Sequence, residues 1–188
     1  MKSILAFLMI ITIMLSCGQP GNGNAVGTDS LVKEAALADT SGNPQAGWDN
    51  TANWKTIDLA KDYNIPLQLT VPANAVAQKS GNNENGVQVS LDDIYGFYEI
   101  GVDESASVAE AIKNQKETTP IFVKNFKVEK EDANGFTYTY AQEPDGKICR
   151  SLYYAKEAGG KVYGISLAGA GFAGTAEQIE KLYNGLKK

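Results

Sequence analysis

The chain has 188 residues, 43% hydrophobic and 21% charged, with a formal net charge of -5, a balance that fits one folded domain plus a tail and disfavours capture of nucleic acid or of an anionic lipid surface by net charge. Histidine is absent, which removes Ser-His-Asp and Cys-His catalysis and every His-bearing zinc site. The cysteines are Cys17 and Cys149, too few for a disulfide framework, and no residue pattern calls for a metal or a cofactor.

Lys2 precedes Ile4 to Leu15, a run that is apolar except for Thr12. This matches the charged and apolar regions of a secretory signal, and it is shorter than the roughly 20 residues a spanning helix needs. The Ser16-Cys17-Gly18 sequence that follows resembles the lipobox of bacterial lipoproteins, with Met14 where that pattern usually has Leu and Leu15 one place later. The resemblance implies that residues 1–16 are removed and that Cys17 carries diacylglycerol as the first mature residue. It implies an envelope protein held to the lipid bilayer, at the outer membrane, since Gly18 rather than Asp follows the cysteine. The remaining 172 residues would then carry a formal charge of -6.

Residues 17–54 read as a lipidated tether. Gly18 to Gly27 is rich in Gly and Asn without apolar periodicity, and a coil of this whole length reaches roughly 30–35 Å r.m.s.. Asp29 or Ser30 is placed to cap a short helix over Leu31 to Asp39, and Trp48 and Trp54 argue that part of the stretch docks on the domain. Asp39, Ser41 and Asn43 have the odd spacing of a calcium loop, but Pro44 stands where that loop needs Gly and Asn50 where it needs Glu, so no EF-hand is expected.

From Lys55 onward apolar residues alternate between turn signals, which predicts a single α+β domain over 55–188 with an antiparallel sheet. Leu67, Leu69 and Val71 form the first alternation. Val87, Val89 and Leu91 follow an Asn-rich loop and pair with Tyr95 to Gly101 in a hairpin. Ser107 and Glu110 make a capping box for a helix with Val108, Ala111, Ile112 and Gln115 on one stripe, stopped by Pro120. A four-strand meander is expected at about 121–130, 135–142, 147–156 and 161–168, turned by Asn134-Gly135, Asp145-Gly146 and Gly159-Gly160. Thr175 and Gln178 box the last helix, whose buried stripe is Ile179, Leu182, Tyr183 and Leu186.

This element order, from the Tyr63 to Pro72 segment through the hairpin, helix, meander and final helix, resembles the PsbP-like and DcrB-like superfamily of small α/β sandwiches. The resemblance covers about residues 56–188 and implies a non-catalytic accessory or assembly role; it assigns no site residue.

Two-residue turns throughout the meander would set Tyr138 opposite Tyr153, Tyr140 opposite Ser151 and Tyr153 opposite Ser166. One sheet face then collects Phe136, Tyr138, Tyr140 and Tyr153 with Glu129, Glu131, Cys149, Ser151 and Ser166. Phe126, Val128, Leu152, Tyr154, Ile165 and Leu167 fall on the other face as core. Tyrosine pairs an apolar ring with a hydroxyl, which suits contact with a protein partner or a small molecule. Tyr138, Tyr140, Tyr153, Glu129, Ser151 and Ser166 are therefore the candidate binding residues. The alternative is that the first hairpin or the Trp48/Trp54 segment covers this face as a second layer.

No catalytic residue is nominated. The acidic pairs Asp92-Asp93, Asp103-Glu104 and Glu131-Asp132 would serve a calcium site or acid-base chemistry only if they converged, and each sits at an expected turn. Cys149 reads as a small packed residue. Gly169, Gly171 and Gly174 ahead of the last helix lack the basic residue and strand-turn-helix context of a phosphate loop. The functional expectation is an envelope lipoprotein that binds a protein partner, with a ligand-binding lipoprotein and a histidine-free hydrolase as alternatives.

Overall fold

A computed structural model describes residues 53–81, 85–91, 96–144, 146–169 and 175–187, all within one compact unit, Asn43–Lys188. The signal segment, Cys17, the helix expected over Leu31 to Asp39, and Trp48 lie outside the described residues.

In chain order the described elements are β1 (Lys55–Asp58), α1 (Leu59–Tyr63), β2 (Gln68–Val71), β3 (Val76–Lys79), β4 (Val87–Ser90), β5 (Gly96–Asp103), α2 (Val108–Phe122), β6 (Lys124–Asp132), β7 (Gly135–Gln142), β8 (Lys147–Ala158), β9 (Lys161–Gly169) and α3 (Ala176–Leu186). Strands β3 to β9 form one sheet in the order β3-β4-β5-β9-β8-β7-β6, and β1 pairs with β2 in a separate ribbon. Every pairing is antiparallel. The architecture is α+β, as the alternation of apolar residues predicts.

Each sheet face has its own core. On one face Leu152, Tyr154, Ile165 and Leu167 pack with Leu69 and Val71 of the ribbon and with Ile179, Leu182 and Leu186 of α3. Tyr98 reaches across this layer, its hydroxyl donating to the Leu182 carbonyl at 3.2 Å. The α3 capping box forms in full, with Thr175 and Gln178 each bonding the other's backbone N–H, so the start of the helix is satisfied and its buried stripe is aimed at the sheet. On the other face Ala111 and Ile112 of α2 pack against Phe136, Tyr138, Tyr153, Ala155 and Val162.

Three local readings need correction. Helix α2 continues through Pro120 to Phe122, because the proline sits in the last turn, where the Thr119 hydroxyl donates to the Gln115 carbonyl at 2.8 Å and little helix remains to disrupt. Strands β1 and β3 and helix α1 are additional to the expected elements; each is four or five residues long, too short for a periodicity to register. The β7–β8 connection closes on Gln142 and Lys147, leaving four residues outside the pairing instead of the two of Asp145-Gly146. A two-residue turn there would make Pro144 a closing residue of the ladder, and proline has no N–H to contribute.

The longer loop slides β7 by two residues, so Phe136 faces Tyr153, Tyr138 faces Ser151 and Tyr140 faces Cys149. A shift of two keeps every side chain on its face. The β8–β9 turn is the two-residue Gly159-Gly160, with φ of 58° and 74°, and Tyr153 does face Ser166.

Strand β6 departs further: its turn into β7 is Ala133-Asn134, closing on Asp132 and Gly135, one residue ahead of the expected Asn134-Gly135. Its pairing shifts between Lys124 and Lys127 and again between Val128 and Lys130, and Asn125 has φ of 53°, a conformation Asn tolerates better than most residues. The shift between Val128 and Lys130 moves Val128 and Phe126 from the expected α3 side to the α2 side, because one extra residue inverts the alternation: Val128 becomes the partner of Tyr138, and the Phe126 ring meets Phe136 and Tyr138.

Candidate functional site

Helix α2 closes the tyrosine face. Ser107 accepts the Glu110 N–H at 3.2 Å as its N-cap, while the Glu110 carboxylate turns back to the Ala106 N–H at 2.8 Å. The helix thus starts at the end of β5 and lies along β6, β8 and β9. Its side chains supply the second layer that sequence reasoning assigned to the first hairpin or the tryptophan segment. Tyr153 is 3% exposed and Tyr138 8%, so both are core.

Beneath α2 the rings form a continuous aromatic row. Phe126 and Phe136 meet edge to face with centroids 6.2 Å apart, Phe126 and Tyr138 lie at 5.1 Å, Phe136 and Tyr153 at 5.9 Å, and Tyr138 and Tyr140 at 6.0 Å. These separations fall in the range where tilted and edge-on pairs attract. The Tyr153 ring also crosses β9 at Gly164, where an added Cβ would sit 3.0 Å from the Tyr153 hydroxyl.

The polar atoms of this face are engaged. The Tyr153 hydroxyl donates to Asp103 Oδ2 at 2.9 Å, and the other Asp103 oxygen accepts the Ser105 N–H at 2.9 Å. Ser151 is buried and donates to the Leu167 carbonyl at 2.7 Å. Cys149 is fully buried, its thiol 3.3 Å from Gln142 Oε1. Burial raises the Tyr153 phenol well above its ordinary range, and the facing Asp103 carboxylate adds to the effect. Burial raises Tyr138 and half-buried Tyr140 as well, the latter with Cys149 beside it. Phenols held neutral in this way act as donors and packing surface, not as bases.

The six candidate residues are therefore divided. Tyr138, Tyr153 and Ser151 lie under α2, Tyr140 is at its margin, and Ser166 is half-buried on β9 between Tyr153 and Glu99. Glu129 leaves the group: it lies 4.0 Å from Arg150 Nε, and Arg150 falls between Cys149 and Ser151 on β8, hence on the α3 side. Glu131 stays on the α2 side, where Lys116 of α2 holds it at 2.8 Å.

Glu99 escaped notice in the sequence. It is 4% exposed on β5 and accepts a hydrogen bond from the Ser80 hydroxyl, with Gln88 and Ser166 as its register neighbours. Burial raises its carboxyl above the ordinary value, a rise that the Ser80 bond partly opposes. The alternation that puts Tyr98 and Ile100 in the core places Glu99 on the opposite face; no local motif marks it.

A shallow groove of about 270 Å³ lies beside this region, lined by Val102, Asp103, Ala106, Glu157, Lys161 and Val162. It contains none of the candidate tyrosines, and Asp103, its most enclosed carboxylate, is already bonded on both oxygens. The acidic pairs do not converge: Asp103 ends β5 and Asp132 ends β6, four strands away in the sheet, roughly 19 Å at ~4.8 Å per strand. Asp92-Asp93 lies outside the described residues. Among the described residues no group of acids and cysteine is arranged to hold a metal ion, and no helix is long and apolar enough to cross a membrane.

Comparisons of the chain with protein-family models, with curated proteins and with solved structures find no match.

Proposed function

We propose that the chain is a bacterial envelope lipoprotein, anchored through diacylglycerol on Cys17, whose folded domain serves as a non-catalytic accessory or assembly module that binds a protein partner. The observation that carries this reading is the apolar run Ile4 to Leu15 ending at Ser16-Cys17-Gly18, followed by a Gly- and Asn-rich stretch suited to a leash. The glycine after the cysteine favours the outer membrane. The order of hairpin, helix, meander and C-terminal helix supports a PsbP-like or DcrB-like sandwich as the finer description of the fold.

Complete lack of histidine and the separation of Asp103 from Asp132 favour binding over hydrolysis. The closing of Tyr138 and Tyr153 under α2 weighs against a ligand held by the tyrosine face and moves the expected partner contact to the outside of the domain. Crosslinking in intact envelopes tests the reading. One reproducible partner supports it, and recovery of the chain alone across crosslinkers of several lengths counts against it.

A further inference from the structure

Helix α2 packs on β6, β8 and β9, and the β3, β4 and β5 stretch of the same sheet face lies beside it. Register lines up one row of side chains there: Gln78, Gln88, Glu99 and Ser166 are successive partners on β3, β4, β5 and β9. The row continues into Tyr153 beneath α2, which fixes its side of the sheet. Gln78 is exposed and Gln88 and Ser166 are half-buried, whereas Glu99 sits low between its neighbours at 4% exposed.

Glu99 is a buried carboxylate without a cation. It accepts the Ser80 hydroxyl, and among the described residues no lysine or arginine pairs with it. On α2, Lys113 is held by Glu117 and Lys116 by Glu131, and Lys79 alternates to the other side of β3 from Gln78. A carboxylate buried in this state opposes folding. A charge kept at a cost in stability fits a residue held for a contact.

The backbone beside Glu99 is bare. Gly101, next on this face of β5, is half-buried and pairs with Gly164; the Tyr153 ring lies over Gly164, while Gly101 has no side chain to fill its own place. Glycine inside a strand marks a point where another group comes close. On the other side of Glu99, half-buried Phe97 offers a ring against which an aliphatic stem can lie.

We propose that the protein partner docks on this stretch and places a lysine or arginine side chain on the Glu99 carboxylate. This rests on the partner-binding reading and gives it a location and a chemistry. A cation there balances the buried charge, and the Gln88 amide and the Ser166 hydroxyl stand beside it. A thin stem passes between these half-buried neighbours where a broader group does not.

The test places a photo-crosslinking amino acid at Gln78 of the full chain or, separately, at Lys127, which is exposed on the opposite sheet face, and irradiates intact envelopes. A partner captured from position 78 and not from 127 is expected. Glu99→Gln keeps the shape and removes the charge; it should melt no lower than the parent yet reduce capture by about tenfold or more. Ser166→Lys, which supplies a cation from within, should reduce capture likewise. Glutamine in place of the lysines and arginines of the crosslinked partner segment should reproduce the loss.

Capture from 127 and not from 78 would overturn the proposal and leave the partner-binding reading standing. Capture from 78 that survives Glu99→Gln and Ser166→Lys would overturn it as well. So would loss of capture accompanied by a lower melting temperature in both variants, which would assign Glu99 to the fold. No capture from either position also overturns it, and crosslinkers of several lengths then decide the partner-binding reading separately.

Discussion

Tyr153 on β8 donates its hydroxyl to the carboxylate of Asp103 at the end of β5, at 2.9 Å and across 50 residues of sequence. The bond ties the middle of the sheet to the point where the chain leaves it for α2. Tyr153→Phe removes the bond and leaves the ring, so a loss of about 1–2 kcal/mol is expected in urea unfolding. Tyr153→Ala also opens a cavity beneath α2 and should cost about 3–5 kcal/mol. Loss of partner binding by either variant thus means little unless its folding is measured too.

Gly185 on α3 lies where any Cβ would come within 2.4 Å of the Thr70 carbonyl and 2.9 Å of the Trp54 ring. The carbonyl belongs to the β1–β2 ribbon and cannot swing aside. Gly185→Ala is expected to cost more than the ~1–3 kcal/mol of ordinary overpacking and to alter tryptophan emission in the native state. Unchanged stability would mean that α3 and the ribbon are not packed this closely.

Two carboxylates should give stability opposite pH dependences. Burial raises Glu99 above its ordinary value of 4.5, so above that pH the unfolded chain sheds a proton that the native one retains, and stability falls as pH rises through the window. Glu99→Gln should lack this fall and be more stable than the parent at pH 7. Burial pushes Asp132 upward too, but bonds from Lys187, Tyr183 and the Asn134 N–H outweigh it and hold the carboxyl at about 2, below its ordinary 3.8. Its contribution is present above pH 3.8 and is lost as pH falls toward 2. Asp132→Asn should remove that part of the acid limb, and paired denaturation curves from pH 2 to 8 check both signs.

Cys149 is fully buried between Tyr140 and the Gln142 side chain. In the native protein it should react with a thiol reagent only as fast as the domain opens, and promptly once unfolded in urea. Prompt labelling of the native chain would contradict the packing of β7 on β8.

Much of the architecture is legible in the sequence because turn chemistry and capping are local. Gly159-Gly160 permits positive φ at both positions and so predicts the Tyr153–Ser166 register, and Thr175 with Gln178 marks the start of α3. What escapes is whatever depends on residues distant in sequence. The β7–β8 loop contains Asp145-Gly146, yet the ladder closes outside Pro144 and slides the tyrosines by two. The bulge between Val128 and Lys130 carries no signature, since Asn125 with its left-handed backbone marks only the second irregularity nearer Lys124, and it decides the face of Phe126, Val128 and Glu129. The stripe on α2 is readable, but periodicity alone does not say which sheet face it will cover, and that cover turns the tyrosine surface into core.

Intact-mass and N-terminal peptide analysis of the chain isolated from envelopes tests the proposed lipid anchor at Cys17 most directly. The expected mature chain lacks residues 1–16 and begins at Cys17, which bears the mass of diacylglycerol on its sulfur. A mature chain beginning elsewhere, or one with Cys17 as a free thiol, would contradict it.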